Sequence, residues 1–288
     1  MSGNIVKENV RQFYDQVGWQ VASDGNYQNA RYEDLRPVAR EYIHRCHMRV
    51  KKHLTPVGKF LLDVGSGPIQ YPEYLTYSEG FTYRVCLDIS SVALQEARKR
   101  IGDRGLFVVG DAANLPFCKD IFDGVVSLHT LHHLPSADQE KGYQEIYRTL
   151  KPGNQAVVVN GWTDSPLVRS FNWLILLMEW AGRQYGNLRG RKIEKVVIPA
   201  TITSKKESPP TGTYIQKLDA DWLKKALSRK MEIEILIWRS INVRFLRAVF
   251  HDITGGRFWL RLLFRLEEMF PNYFGEKGQY PLIVIRKS

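Results

Sequence analysis

Short apolar runs and longer amphipathic stretches alternate along the chain from residue 59 to residue 160. The runs are 59–64 (KFLLDV), 83–89 (YRVCLDI), 105–110 (GLFVVG), 122–128 (FDGVVSL) and 155–160 (QAVVVN). They lack a polar residue at every second place, so they predict parallel strands covered on both faces. Between them, 90–102 (SSVALQEARKRIG) predicts a helix with serines placed to cap it and Gly102 to end it. Residues 136–153 (SADQEKGYQEIYRTLKPG) predict another, with Ser136 and Gln139 spaced as a capping box and a stop at Pro152-Gly153. Strands alternating with helices imply a parallel sheet with right-handed crossovers.

The flanks read differently. Residues 1–56 are helical in pattern, with one loop at 22–30 (ASDGNYQNA). After Gly161 the alternation breaks. Residues 162–216 predict a long, partly apolar helix over 166–185 and then a basic loop, RGRKIEKVVIPATITSKKESPPTG. Residues 218–230 resume as a helix and 231–238 (MEIEILIW) as a strand. A second interruption, 240–279, holds a further helix, and 280–288 (YPLIVIRKS) closes the chain as a strand.

Composition narrows the class. The chain has 288 residues, 44% of them hydrophobic, enough for a full core and too many for a chain disordered over most of its length. A formal net charge of +11 suits an anionic partner, whether nucleic acid, a membrane face or a phosphorylated or carboxylated substrate, without choosing among them. Cys46, Cys86 and Cys118 are far apart and form no C-x-x-C pair, so neither a disulfide framework nor a metal site is expected. The start, MSGNIVKENVRQ, is polar and predicts no secretory signal. The longest apolar stretch, 171–182, is broken by Asn172 and Glu179 and falls short of the ~20 residues that span a bilayer. The expectation is a soluble, cytoplasmic protein.

Chemistry enters at the end of the first predicted strand, in FLLDVGSGPIQYPEYL. Gly65 and Gly67 allow a tight turn and close approach of backbone to a ligand. Asp63 ends the first strand, Asp88 the second, and Asp111 follows the third. One acid at a strand end is ordinary loop capping. Three at the edges of consecutive strands, beside a glycine turn, mark the ligand crevice of an open α/β sheet. A dinucleotide fingerprint fails, because Gln70 stands where its third glycine belongs. S-adenosylmethionine, which has adenine and ribose but no pyrophosphate, is the competing ligand.

The segments LLDVGSGP, CLDIS, VVGDAANLPF, FDGVVSLHTLHHL and EIYRTLKPGNQAVVVN resemble the successive motifs of class I S-adenosylmethionine-dependent methyltransferases, over residues 56–160. The resemblance implies a three-layer α/β sandwich. Its mostly parallel seven-stranded sheet has the order 3-2-1-4-5-7-6, with the last strand antiparallel. It implies that Asp63, Gly65, Ser66 and Gly67 surround the methionine tail and ribose. Asp88, with Ile89 beside it, would hold the ribose hydroxyls. Asp111 and Ala112 would read adenine, and Ser127, Leu128 or His129 would offer backbone to the tail. The family often has a further glycine where this chain has Ile69, so the turn is expected to be reshaped there. VRQFYDQVGWQ resembles a lid-like first helix whose Tyr14 closes over the cofactor; the alternative is an apolar helix face of Phe13, Tyr14 and Trp19. The division expected is a lid segment, 1–56, and a methyltransferase domain, 57–288. Its insertions at 162–216 and 240–279 would cover the acceptor.

Acceptors on oxygen or carbon often need a proton removed, and histidine suits that task near neutral pH. His133, His129 and His132 are the candidates, in that order; the alternative is that they cap or pack. Asn160 and Trp162 are candidate pocket residues by position. The Asn/Asp-Pro-Pro-aromatic motif typical of base-amino methylation is absent after the fourth strand, which counts against nucleic acid. Arg257, Arg261 and Arg265 form a basic stripe on an apolar helix. It reads as a solvated edge of a core helix, as a contact for an anionic membrane, or as a grip on an acidic acceptor. The expected function is methyl transfer from S-adenosylmethionine to a small, lipophilic acceptor, leaving S-adenosylhomocysteine. RNA methylation and a non-catalytic, cofactor-binding subunit remain alternatives. Oligomeric state is not legible.

Overall fold

A computed structural model describes residues 3–20, 27–29, 33–188 and 213–288. The basic loop 189–212 and most of the loop 22–30 lie outside the described residues. The helices are α1 Gly3–Phe13, α2 Pro37–Lys52, α3 Pro72–Leu75, α4 Ser91–Ile101, α5 Ser136–Thr149, α6 Pro166–Ser170 and α7 Asn172–Leu188. They continue with α8 Ala220–Leu227, α9 Val243–Val249, α10 Gly256–Met269 and α11 Pro271–Lys277. The strands are β1 Gly58–Val64, β2 Phe81–Asp88, β3 Gly105–Val109, β4 Gly124–Leu128, β5 Gln155–Val159, β6 Glu232–Arg239 and β7 Tyr280–Arg286.

The strands form one sheet in the order β3-β2-β1-β4-β5-β7-β6. It is parallel except for β7, which runs antiparallel to both β5 and β6. This is the expected order. Successive strand residues point to opposite faces, and both faces are dry. Leu61, Val157 and Val159 pack on one side with Tyr42 and Val50 of α2, Ala97 of α4 and Phe264 of α10. Leu62, Val64, Ala156 and Val158 pack on the other with Tyr143 and Ile146 of α5 and Leu223 of α8. Two covered faces are why the strands read as unbroken apolar runs.

Local signals were partly overridden by tertiary contacts. Ser90 caps α4 as expected, its Oγ accepting from Ala93 N at 3.0 Å, and Gly102 ends it at φ 64°. The capping box at Ser136 does not form. Pro135 occupies the cap position of α5, and buried Gln139 turns away to donate to Leu134 O at 2.9 Å and to Gln216 O. The single helix expected over 166–185 is two, separated at Phe171.

The second interruption, 240–279, lies away from the expected place. Its α10 packs on α2, where fully buried Glu267 accepts from Tyr42 at 2.7 Å and from Arg49 Nη1 at 2.9 Å. Arg257, Arg261 and Arg265 are exposed; Arg257 pairs with Asp252 and Arg261 with Glu41. They do not grip an acceptor from inside. Phe258, Trp259 and Met269 are also exposed on α10. Among the described residues, no helix is long and apolar enough to cross a membrane.

Candidate functional site

A cavity of about 440 Å³ runs along the carboxyl edge of the sheet, and its lining follows strand order. Gly110, Asp111 and Ala112 follow β3; Asp88 ends β2 and Ile89 follows it; Gly65, Ser66 and Gly67 follow β1. Leu128, His129 and Thr130 close β4, and Gly161 lies just past β5. Tyr280 begins β7, and Trp238 and Arg239 end β6. Thr213 and Ile215, at the end of the first interruption, and Lys217, just past it, complete the far side. No described residue of 240–279 lines the cavity.

The turn after β1 is a cradle that a side chain would fill. Gly65 and Gly67 have φ of 71° and 54°. A Cβ on Gly65 would fall 2.2 Å from Thr130 Cγ2, and one on Gly67 would meet the Trp19 ring at 3.1 Å. Gly65 N and Ser66 N donate to Leu87 O at 2.7 and 3.1 Å, which pins the turn to β2. Ile69 keeps a left-handed φ of 55° although it is not glycine. That conformation costs about 1–2 kcal/mol for an L-residue, and complete burial of the Ile69 side chain offsets it.

The three acids differ. Asp63 is buried and paired with buried Arg84, whose Nε lies 3.1 Å from Asp63 Oδ2. Each oxygen of Asp88 accepts one backbone bond at 2.9 Å, Oδ2 from Gly67 N and Oδ1 from Ser90 N. A carboxylate has about four lone-pair sites, so both oxygens keep capacity for a further donor. Burial pushes the Asp88 carboxyl up to about 6 against the pull of those two bonds. Asp111 accepts from Ala113 N at 2.9 Å and from Lys7 Nζ at 2.7 Å; Lys7 also pairs with Asp138 at 2.7 Å. Ser127 is not at the cavity. It is buried within β4, and its Oγ donates to Val64 O at 2.9 Å.

The amino-terminal helix closes this end. A π-helical turn, Tyr14–Gly18, follows α1. The Tyr14 ring stacks on Trp19 at 4.9 Å, and Asp15 accepts from Ser90 Oγ. Trp19 Nε1 is buried and has no hydrogen-bond partner among the described residues. An orphaned N–H beside a glycine cradle and two strand-end acids fits a polar ligand with hydroxyl and amino groups, as adenosine has.

The three histidines are held differently. His133 Nδ1 donates to Tyr214 O at 2.8 Å, so its Nε2 accepts from the Tyr14 hydroxyl at 2.8 Å. Both ring nitrogens are engaged. Asn160 Nδ2 donates to Tyr143 at 3.2 Å and its Oδ1 accepts from His132 Nδ1 at 3.1 Å, leaving a lone pair on His132 Nε2. His129, at φ 54°, rests edge-on against Trp238 and Tyr280. Burial first, then nearby positive charge, pushes His129 down to about 3; burial pushes His133 down to about 4 against the pull of its bond to Tyr214, and holds His132 well below its usual range. All three are neutral near pH 7. Asn160 thus serves His132, while buried Trp162 ties α11 to the sheet by donating to Gly275 O at 2.7 Å. Among the described residues no cluster of ligating side chains suits a metal ion.

Sheet order and crevice define the class: a class I, Rossmann-like fold with a cavity along its carboxyl edge. The family described as "Methyltransferase domain" matches residues 62–158. Over those residues, and in its sheet order, the chain is similar to the class I S-adenosylmethionine-dependent methyltransferases. It is 28% identical over 163 residues to a ubiquinone/menaquinone biosynthesis C-methyltransferase of Haemophilus ducreyi, covering 54% of this chain and 60% of that one. It is 27% identical over 170 residues to a tRNA (carboxymethyluridine(34)-5-O)-methyltransferase of Arabidopsis thaliana, covering 50% and 40%. A solved structure of Haemonchus contortus phosphoethanolamine N-methyltransferase 1, in complex with phosphoethanolamine and S-adenosylhomocysteine, aligns with all of this chain and 50% of its own. Its TM-score is 0.57 at 11% identity, a likeness of fold. The chain spans 38 to 60% of the length of the curated relatives it matches.

Proposed function

We propose that the protein transfers a methyl group from S-adenosylmethionine to oxygen or carbon of a small organic acceptor. The observation that carries this is the continuity of one cavity from Asp88 and Asp111 to the histidines and Trp238. When bound, S-adenosylmethionine supplies a methyl carbon activated by positive sulfur. Asp88 accepts the ribose hydroxyls on its remaining lone pairs. Asp111 and Ala112 face adenine, and the Gly65–Ser66–Gly67 turn and Asp63 meet the tail. Of the expected lid segment, Lys7, Tyr14 and Trp19 act as the lid and exclude water from the cofactor, whereas α2 packs into the core. The chain then contributes proximity and orientation.

Proton removal, where the acceptor needs it, falls to His132. Its Nε2 lone pair is free among the described residues, and Asn160 orients the ring. His133 instead positions Tyr14. The aromatic lining beyond β4 suits a lipophilic body, and a relative named for ubiquinone/menaquinone biosynthesis is consistent with that. The exposed outer side of α10 is where contact with an anionic membrane would fall; sedimentation with anionic vesicles at low salt tests it.

Calorimetry with S-adenosylhomocysteine tests the cofactor reading, and absence of binding removes it. Transfer of labelled methyl from the cofactor into a small-molecule extract tests turnover and separates an enzyme from a non-catalytic partner subunit. The +11 charge and the tRNA-methylating relative favour RNA as the second reading. Label recovered in tRNA rather than in small molecules would establish it.

A further inference from the structure

The end of the cavity beyond β4 holds more positive charge than the protein neutralises. Arg239 and Lys217 both line it, and both lie on the ring of Tyr280, at 4.7 and 5.9 Å from its centroid. Arg239 Nη1 pairs with Glu33, which also lines the cavity, but Arg239 is 2% exposed and its Nε–H has no acceptor among the described residues. Lys217 Nζ has neither hydrogen bond nor ion pair among them. Thr213 Oγ1, on the same wall, is buried without a partner as well. Two cations against one carboxylate leave one charge unmatched, since the neighbouring histidines are neutral near pH 7.

The ammonium is placed rather than stray. Its segment is strapped down by Gln216 N donating to His132 O at 2.7 Å, and by Thr163 Oγ1 donating to Lys217 O. A Cβ on Gly161 would come within 3.3 Å of Lys217 Nζ, so glycine there leaves the ammonium its room. Burial disfavours the charged lysine. A half-buried cation without a counter-charge is costly, and a partner supplied by the ligand removes that cost.

Resting on the methyltransferase reading, we infer that the acceptor is an organic oxyanion, bound through its anionic oxygens by Lys217 and the free N–H of Arg239, with its body against Trp238 and Tyr280. The positive charge of the wall would then select acidic acceptors over their neutral analogues.

The test is calorimetric titration of benzoate, benzamide and phenyl phosphate into the full chain saturated with S-adenosylhomocysteine. The expected result is at least about tenfold tighter binding of benzoate than of benzamide, the scale of one charge-assisted contact. That preference should vanish in Lys217→Met and persist in Lys217→Arg. Phenyl phosphate binding tighter than benzoate supports the charge selection and identifies a phosphate; the reverse identifies a carboxylate. Equal binding of benzoate and benzamide, or no binding of benzoate, overturns the inference. So does a loss of S-adenosylhomocysteine affinity in Lys217→Met, which would assign the charge to the cofactor's own carboxylate. Wild-type protein that fails to bind S-adenosylhomocysteine takes down the methyltransferase reading itself, a distinguishable result.

Discussion

Beside β1, β2 and β3 the cavity floor is set by the strand ends: a turn of two left-handed glycines, amides donated to Asp88, and acids fixed at strand ends. Beyond β4 it is mostly side chain, with His129, His132, Lys217, Trp238, Arg239 and Tyr280 gathered from four separate stretches of chain. The first kind of wall follows from the fold, because any chain that makes this sheet brings the same strand ends together. The second depends on individual side chains, so proteins sharing one half can differ in the other. The family match covers residues 62–158 and stops before β6 and β7, and relatives are named for ubiquinone/menaquinone biosynthesis and for tRNA methylation.

That contrast can be broken by mutation. The largest effect is expected for His132→Ala, a loss of about 10²- to 10⁴-fold in turnover, the usual contribution of a positioned base. Affinity for S-adenosylhomocysteine should stay the same; a drop in binding with normal turnover would put His132 in the wrong half. Next comes Asp88→Ala, expected to weaken S-adenosylhomocysteine by about 1.5–3 kcal/mol, the scale of hydrogen bonds to a charged acceptor. Unchanged affinity in a titration would sink the ribose assignment.

A pH series is the third test. Ribose hydroxyls need Asp88 ionised, and its unliganded carboxyl titrates at about 6. Affinity should be flat above that pH and fall by up to about tenfold per unit below it, until the lower value in the complex is reached. The unliganded fold responds in the opposite sense. Because the folded value is raised, the stability tied to Asp88 is full below the ordinary carboxylate range and is lost as pH rises through about 6. Melting with and without S-adenosylhomocysteine across this window separates the two. The smallest effect belongs to His133→Ala, which removes the partner of Tyr14. It should cost about 0.5–1.5 kcal/mol of cofactor affinity, one neutral hydrogen bond, and leave proton removal alone. Loss of turnover at constant affinity would restore His133 as the base.

Legibility in the sequence follows the same divide. Strand runs, the glycine turn, Asp88, Asp111 and the capping by Ser90 are local patterns, and each stands where its neighbours in sequence imply. Ser127 was one residue off: strand alternation turns it into the sheet, toward Val64 O, and leaves Leu128 and His129 to the cavity. Gln139 misled because its amide is drawn to Leu134 and Gln216 across a tertiary contact. Lys7 gave no local sign, since its partner Asp111 is 104 residues away. Trp238, Arg239 and Tyr280 were hidden for a related reason. β7 inserts between β5 and β6, so the ends that meet the cavity are set by strand order rather than by any motif.

The bond from Tyr14 to His133 continues, through the same ring, to the carbonyl of Tyr214, three residues before Lys217. One ring therefore joins Tyr14 of the amino-terminal cover to the strap that carries the Lys217 ammonium. On the proposed function, seating the cofactor under Tyr14 would steady the strap that receives the acceptor. A compulsory sequence of loading, with S-adenosylmethionine ahead of the acceptor and the spent nucleoside departing last, is the kinetic pattern such a joint favours.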